Sequence, residues 1–104
     1  MIELKSKSEL NEILNGNTPV LLDFYAEWCG PCKTLLPIVE SLAKEYKENV
    51  IIAKVNVDHN QDLASDYQVR NIPALFLIKD RNVQEKRVGL QSKDQLKALI
   101  DKYA

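Results

Sequence analysis

Two patterns of hydrophobic residues alternate along this chain, one typical of buried strands and the other of helices. Nearly continuous apolar runs occur at residues 19–26 (PVLLDFYA), 50–57 (VIIAKVNV) and 74–78 (ALFLI). Runs of this kind are typical of strands that are buried on both faces of a sheet. Residues 83–88 are more polar and follow a short turn at Asp80-Arg81-Asn82, so they are predicted to form an edge strand.

Apolar residues at helical spacing lie between these strands and after the last of them. Capping-box sequences at residues 6–9 and 92–95 predict the starts of the first and last helices. A longer helix is predicted from Cys32 to about Lys47, with a kink at Pro37. Asp58 is expected to cap a short helix after the second apolar run.

The order of these elements predicts an α/β fold. Strand and helix alternate three times, and a hairpin and a final helix follow. Such alternation is typical of a mostly parallel sheet with helices on both faces, here ending in an antiparallel pair. No repeat or linker interrupts the pattern, so residues 1–104 are predicted to form a single domain.

Composition and charge exclude several classes of function. The chain is 45% apolar and 28% charged, with a formal net charge of -1, so it lacks the basic stripe expected of a nucleic-acid or membrane partner. The start lacks the apolar stretch of a signal peptide, which favours the cytoplasm, where disulfides are usually transient. No G-x-G-x-x-G sequence is present, so no nicotinamide or flavin cofactor is expected.

Both cysteines of the chain lie in the stretch W-C-G-P-C-K, residues 28–33. A structural zinc site needs four ligands, and Cys29, Cys32 and the single histidine, His59, supply only three. A disulfide between the cysteines would close a loop so short that it would contribute only about 2 kcal/mol of stability. Redox exchange uses more features of the stretch than either alternative does.

The stretch places Cys29 after a strand and at the start of a long helix. Free backbone N–H groups and the positive end of the helix dipole stabilise an anion there, and Lys33 adds a nearby positive charge. Pro31 suits the first helical turn because it has no N–H. Cys32 returns to the same helical face, so the two sulfurs can meet. We expect Cys29 to be the exposed attacking thiol and Cys32 the partly buried resolving thiol.

In the motif W-C-G-P-C-K after an apolar strand, and in its order of elements, the chain resembles the thioredoxin family over nearly its whole length. The resemblance implies a thioredoxin fold, with a central five-stranded mixed sheet flanked by four helices. It also implies a monomeric thiol–disulfide oxidoreductase that reduces disulfides in partner proteins. A separate thioredoxin reductase would restore the dithiol. Relatives that oxidise or isomerise disulfides commonly have histidine where this chain has Pro31, so we expect a reductant.

Two charged residues interrupt the apolar strands. Asp23 lies within residues 19–26, where burial would raise the pKa of its carboxyl group, unless it reaches water at the strand end. By resemblance, Asp23 takes the proton from Cys32. Lys54 lies within residues 50–57, where it could extend to solvent. By resemblance, it lies near the aspartate and tunes its titration.

The resemblance also implies a docking surface around the thiols. The Ile72–Pro73 bond is expected to be cis and to face the active-site disulfide, so that the backbone of Ile72 can pair with an extended substrate. Trp28 is expected to be a partly exposed platform. Gly89 is expected to let a partner's backbone come close. The predicted surface is uncharged and comprises Trp28, Gly30, Pro31, Ile72, Pro73 and Gly89.

The chain departs from the family pattern at three places. Phe24-Tyr25 stands where many members have a second tryptophan, the hairpin turn lacks the usual glycine, and Leu90 replaces a smaller residue. Two other functions stay open from the sequence alone, a non-catalytic thioredoxin-like binding subunit and a metal-binding protein. His59 is predicted to be a surface or capping residue.

Overall fold

Five strands form one mixed sheet in the computed structural model, which describes residues 1–104. Strands β1 (Ile2–Leu4), β3 (Ile51–Asn56) and β2 (Val20–Tyr25) run parallel, whereas β4 (Ala74–Lys79) runs antiparallel to both β2 and β5 (Asn82–Val88). The predicted mixed five-stranded sheet, with its last strand at an edge, is confirmed. The spatial order of the strands across the sheet is β1, β3, β2, β4, β5.

Four helices cover the two faces of this sheet, in the predicted order. Leu10 and Leu63, from the first and third helices, pack on one face. The other face is covered by the second and fourth helices, through residues such as Leu35 and Leu96. None of the helices has the length and apolar content that crossing a membrane requires. The helices are α1 (Lys7–Leu14), α2 (Gly30–Glu45), α3 (Gln61–Asp66) and α4 (Lys93–Tyr103).

The central strand β2 supplies side chains to both hydrophobic cores. Leu22 and Phe24 belong to the core under α1 and α3, and Leu21 belongs to the core under α2 and α4. Because side chains alternate along a strand, Asp23 and Tyr25 point to the same face as Leu21. Residues 20–24 are all buried, as the apolar run predicted. The one carboxylate in that run therefore lies inside the molecule, on the α2 side.

The ends of the helices agree with the sequence in part. Both hydrogen bonds of the capping box are formed between Ser92 and Gln95. Ser6 accepts the N–H of Glu9 at 3.2 Å. The prediction that Asp58 caps α3 is wrong, because the N-cap is Asn60 and its side chain makes no capping hydrogen bond.

Helix α2 begins at Gly30, two residues before the predicted start, because Cys29 is its N-cap. It runs without interruption through Pro37 to Glu45. The kink at Pro37 stays a prediction. The early start places Cys29 at the N-cap and Cys32 in the first turn of the helix, where backbone N–H groups have no partner within the helix.

The β4–β5 hairpin has a tighter turn than predicted. Only Asp80 and Arg81 form it, with φ of 52° and 66°, and Asn82 already belongs to β5. Positive φ at both positions is typical of a type I′ turn, which favours glycine at the second. The strands also contain a bulge, since Leu77 pairs with Glu85 and Ile78 pairs with Val83. Arg81 is therefore held in a conformation that side chains disfavour.

Replacing Arg81 with glycine is expected to stabilise the hairpin. Glycine adopts positive φ without the steric cost, and the net gain after its greater freedom in the unfolded chain is about 0.5–1 kcal/mol. Arg81→Ala is the matched control, because it loses the same contact with Asn15 but keeps a Cβ atom. Urea denaturation should rank Arg81→Gly above both the unmodified protein and Arg81→Ala. Equal stability of the two variants would contradict the argument from φ.

Candidate redox site

A disulfide joins Cys29 and Cys32 at the N-terminus of α2. Cys29 is the N-cap, with an extended backbone, and its Cα lies 5.3 Å from that of Cys32. The Sγ atom of Cys29 accepts the backbone N–H of Cys32 at 3.2 Å. Pro31 lies in the first turn, as predicted. Negative charge on the Cys29 sulfur would therefore be stabilised by a hydrogen bond and by the helix dipole.

The disulfide is less accessible than the sequence indicated. Cys29 is 5% exposed and Cys32 is 3% exposed. The expectation that Cys29 is exposed is therefore wrong in this disulfide form. The two cysteines pack with Ala26, and Ile72 covers them from the facing loop. The Cys29 Sγ lies 3.8 Å from the carbonyl oxygen of Ile72.

The facing loop contains the cis peptide bond expected from the family resemblance, between Ile72 and Pro73. The N–H of Gly89 donates to the carbonyl oxygen of Pro73 at 2.8 Å, which fixes the end of β5 beside this loop. Gly89 has a φ of 90°, and a Cβ atom there would meet nothing within 4 Å. The positive φ alone is therefore a sufficient reason for glycine at position 89. The close approach of a partner's backbone to Gly89 stays a prediction.

Trp28 is 70% exposed beside the disulfide, so its expected exposure is confirmed. Gly30 and Pro31, which follow Cys29, are also exposed. The indole N–H of Trp28 donates to an Asp58 carboxylate oxygen at 2.9 Å. Asp58 therefore holds the tryptophan instead of capping α3. The contact follows from the parallel pairing of β2 and β3, which brings the segments after both strands to one edge of the sheet.

The carboxyl group of Asp23 is buried without a hydrogen-bond partner for its Oδ1 atom. The residue is only 1% exposed. Burial raises the pKa of Asp23 to about 7, and the positive charge of Lys54 opposes this rise. The sequence predicted a buried aspartate here, and the structure places it on the α2 side of the sheet. At neutral pH, this carboxyl group can either accept or donate a proton.

Lys54 lies beside Asp23, since the two residues are register partners in β3 and β2. Its side chain is half-buried, and its Nζ atom lies 5.3 Å from the centre of the Tyr25 ring. The Tyr25 hydroxyl donates to the carboxylate of Glu3 on β1. Burial, and then the hydrogen bond to Glu3, raise the pKa of Tyr25 to about 12, so the hydroxyl keeps its proton at neutral pH. Neither Tyr25 nor Glu3 was expected at the site from the sequence.

A partly open cavity of about 720 Å³ connects these groups with the disulfide. It is lined by both strand residues, Asp23 and Lys54, and by Cys32 from the helix. His59 lies at this cavity but is exposed to solvent, which agrees with a surface position. No group of three or more His, Cys, Asp or Glu side chains is arranged to hold a metal ion. Asp23 and Cys32 therefore line one common cavity.

Sequence comparison assigns the family. The family model described as Thioredoxin matches residues 1–102 of the chain. The chain belongs to the thioredoxin family. Thioredoxins from two bacteria are similar to it over almost their whole length. That of Pseudomonas aeruginosa is 42% identical over 101 residues, which cover 97% of this chain and 94% of the relative. That of Buchnera aphidicola is 44% identical over 103 residues, which cover 99% of this chain and 94% of the relative.

Solved thioredoxin structures have the same fold. A mutant thioredoxin from Halobacterium salinarum superposes with a TM-score of 0.91 at 46% identity, covering 98% of this chain and 88% of that one. The thioredoxin of Fasciola hepatica gives a TM-score of 0.93 at 34% identity, covering 100% of both chains. The predicted thioredoxin fold is therefore confirmed.

Family membership, together with a C-x-x-C pair at disulfide distance, defines the activity. This member of the thioredoxin family is a thiol–disulfide oxidoreductase that acts as a disulfide reductase. Thioredoxins exchange electrons with disulfide substrates and with reductases, so the partners of this family member belong to these two general classes.

The buried carboxyl group predicts how stability depends on pH. The pKa of Asp23 rises from 3.8 to about 7 on folding, so the folded state binds the proton more tightly than the unfolded state. Stability is therefore lost as the pH rises from about 4 to 7, and stays low above that range. At about 1.4 kcal/mol for each pH unit, the loss comes to about 4 kcal/mol.

Asp23→Asn removes this titration, so the variant's stability relative to the unmodified protein should rise by about 4 kcal/mol between pH 4 and pH 8. Chemical denaturation of both proteins at several pH values, with the disulfide intact, measures the difference. Any fixed cost of the new amide cancels in the comparison between pH values. A difference that stays flat from pH 4 to pH 8 would show that Asp23 titrates normally.

Proposed function

We propose that Cys29 is the attacking thiol of this reductase and that Cys32 is the resolving thiol. The supporting observation is the hydrogen bond from the Cys32 N–H to the Cys29 Sγ at the N-cap of α2. A thiolate on Cys29 receives this stabilisation, whereas Cys32 lies inside the first turn. The Cys29 thiolate attacks one sulfur of a substrate disulfide, forms a mixed disulfide and releases the other sulfur as a thiolate.

Asp23 takes the proton of Cys32 in the second step. The two residues share the cavity beneath the active site, which has room for water molecules to carry the proton between them. The Cys32 thiolate attacks the Cys29 sulfur, the second substrate sulfur leaves as a thiolate, and the Cys29–Cys32 disulfide forms. Two electrons have then passed to the substrate, and Asp23 returns its proton to the leaving thiolate or to solvent. Lys54 tunes the proton affinity of Asp23 through its charge.

Substrates dock on an uncharged surface around the disulfide. The carbonyl oxygen of Ile72, close to the Cys29 sulfur, is an acceptor for the backbone N–H of an extended substrate segment. The exposed indole of Trp28 supplies apolar contact area at one side. The residues proposed to form this surface are Trp28, Gly30, Pro31, Ile72, Pro73 and Gly89.

The chain is proposed to work as one domain, residues 1–104, and as a monomer in a reducing compartment such as the cytoplasm. A thioredoxin reductase would return electrons to the Cys29–Cys32 disulfide. The Gly-Pro pair between the cysteines favours the reducing direction, because no histidine stabilises the reduced thiolate. A non-catalytic binding subunit is the competing function, and it would not need either thiol.

Serine variants of the two cysteines separate these roles. Cys32→Ser should trap a covalent mixed disulfide with a small disulfide protein such as insulin, because the resolving thiol is gone. Cys29→Ser should form no such adduct and should lose reductase turnover. Intact-protein mass spectrometry, with and without dithiothreitol, detects the adduct. Adducts on Cys29→Ser alone would reverse the assignment, and unchanged turnover in both variants would favour the binding subunit.

The contact between Trp28 and Asp58 predicts an effect on docking. Asp58→Ala removes the acceptor of the indole N–H, so the tryptophan loses its fixed orientation. This hydrogen bond contributes about 1 kcal/mol to holding the indole in place. Its loss should raise KM for a protein disulfide about five-fold and leave kcat nearly unchanged. The exposed Glu48, beyond the far end of α2, provides a control of equal charge change as Glu48→Ala. An equal KM for the two variants would show that Asp58 does not orient the platform.

A further inference from the structure

Three charged side chains form a row across the sheet beside the active-site cavity. Lys54 on β3 is the register partner of Glu3 on β1 and of Asp23 on β2. Partners in parallel strands point to the same face, so the Lys54 side chain projects from the sheet between those of Glu3 and Asp23. Glu3 is exposed, whereas Asp23 is 1% exposed. The exposed carboxylate is the easier ion-pair partner for Lys54, because pairing there needs less desolvation.

Glu3 and Lys54 nevertheless form no ion pair in the structure. The carboxylate of Glu3 accepts the hydroxyl of Tyr25. The Nζ atom of Lys54 lies over the ring of the same tyrosine, 5.3 Å from its centre. Tyr25 thus contacts both members of the potential pair and stands next to Asp23 on the cavity side of β2.

We propose that Tyr25 is a positioning residue. Its hydroxyl binds the Glu3 carboxylate by a hydrogen bond and its ring holds Lys54 in place, so that the lysine charge acts on Asp23. The inference rests on the role proposed above for Asp23. Without the hydroxyl, Glu3 is free to pair with Lys54 and to draw its charge toward β1. Asp23 then loses part of the field that favours its ionised form, and its proton affinity rises.

Other titratable groups lie around Asp23 and Lys54, and one of them, Glu40 of α2, lines a second cavity together with Lys54. Those that line the same cavity as Asp23 are Cys32 and Lys33 from α2, and Lys5, Glu27 and His59 from the connecting segments. Leu75, the register partner of Asp23 on β4, carries no charge. Lys54 is the one charged residue whose electrostatic attraction lowers the pKa of Asp23.

The test is a direct titration of the Asp23 carboxyl carbon by NMR, in oxidised protein with 13C-labelled aspartate. Tyr25→Phe keeps the ring and removes only the hydroxyl. We expect its Asp23 midpoint to rise by about 0.2–0.7 pH unit, the range expected when an exposed ion pair forms. Glu3→Gln should lower the midpoint more in the Tyr25→Phe background than in the unmodified protein. With Lys54→Met in place, Tyr25→Phe should have no effect.

Three results would overturn the proposal. They are a midpoint that is unchanged or lower in Tyr25→Phe, a shift that persists in Glu3→Gln/Tyr25→Phe, and a shift of equal size with Lys54→Met. Asp23→Asn assigns the titrating signal, and Glu3→Gln alone shows whether the exposed carboxylate acts directly.

A second readout separates this inference from the proposed role of Asp23. The pH profile for resolution of a mixed disulfide should move together with the NMR midpoint in Tyr25→Phe. If the NMR midpoint moves and the rate profile does not, Tyr25 positions Lys54 but Asp23 does not take the proton of Cys32. If neither moves, the positioning inference itself is wrong.

Discussion

The parallel pairing of β2 with β3 is the constraint on which the site depends. It brings the carboxyl ends of both strands to one edge of the sheet, where the helix start at Cys29 and the segment with Asp58 meet. Because β4 runs antiparallel to β2, it begins at this same edge, directly after Pro73. The end of β5 at Val88 then places Gly89 beside Pro73. Segments far apart in sequence therefore surround one disulfide because of the strand directions alone.

The buried carboxyl group of Asp23 in β2 suits the proposed proton transfer but lowers the stability of the fold. Most of β2 is apolar and buried, and a leucine at position 23 would match the leucines at positions 21 and 75 on the same face. The carboxyl group found there lacks a hydrogen-bond partner for one oxygen, which opposes folding whenever the group is ionised. Its burial, however, is what brings its pKa near neutrality, where proton exchange with a thiol is effective. The same desolvation therefore destabilises the fold and makes Asp23 suitable for the proposed chemistry.

Sequence patterns predicted the fold and the local features of the site well. Three apolar runs bounded the central strands, and the capping box at Ser92 marked the last helix, because these signals depend on near neighbours in the chain. The patterns failed where a long-range contact decided the outcome. Asp58 was expected to cap α3, yet it bonds to Trp28 across the sheet edge. Ile72 packs against the cluster that contains Cys29, and no sequence pattern around the cysteines contains that loop.

The electrostatic environment of Asp23 is likewise a property of the sheet and not of the motif around the cysteines. Glu3, Lys54 and Tyr25 come from three strands, and only their register places them on one face beside the cavity. Strand β1 has three residues and lies at the sheet edge, yet it carries Glu3, whose carboxylate accepts the Tyr25 hydroxyl instead of pairing with Lys54. Substitution of the exposed Glu3 at this edge leaves the core intact and can still alter the charge near the buried carboxyl group. Members of a family with identical C-x-x-C motifs can therefore differ in the acidity of this group through residues outside that motif.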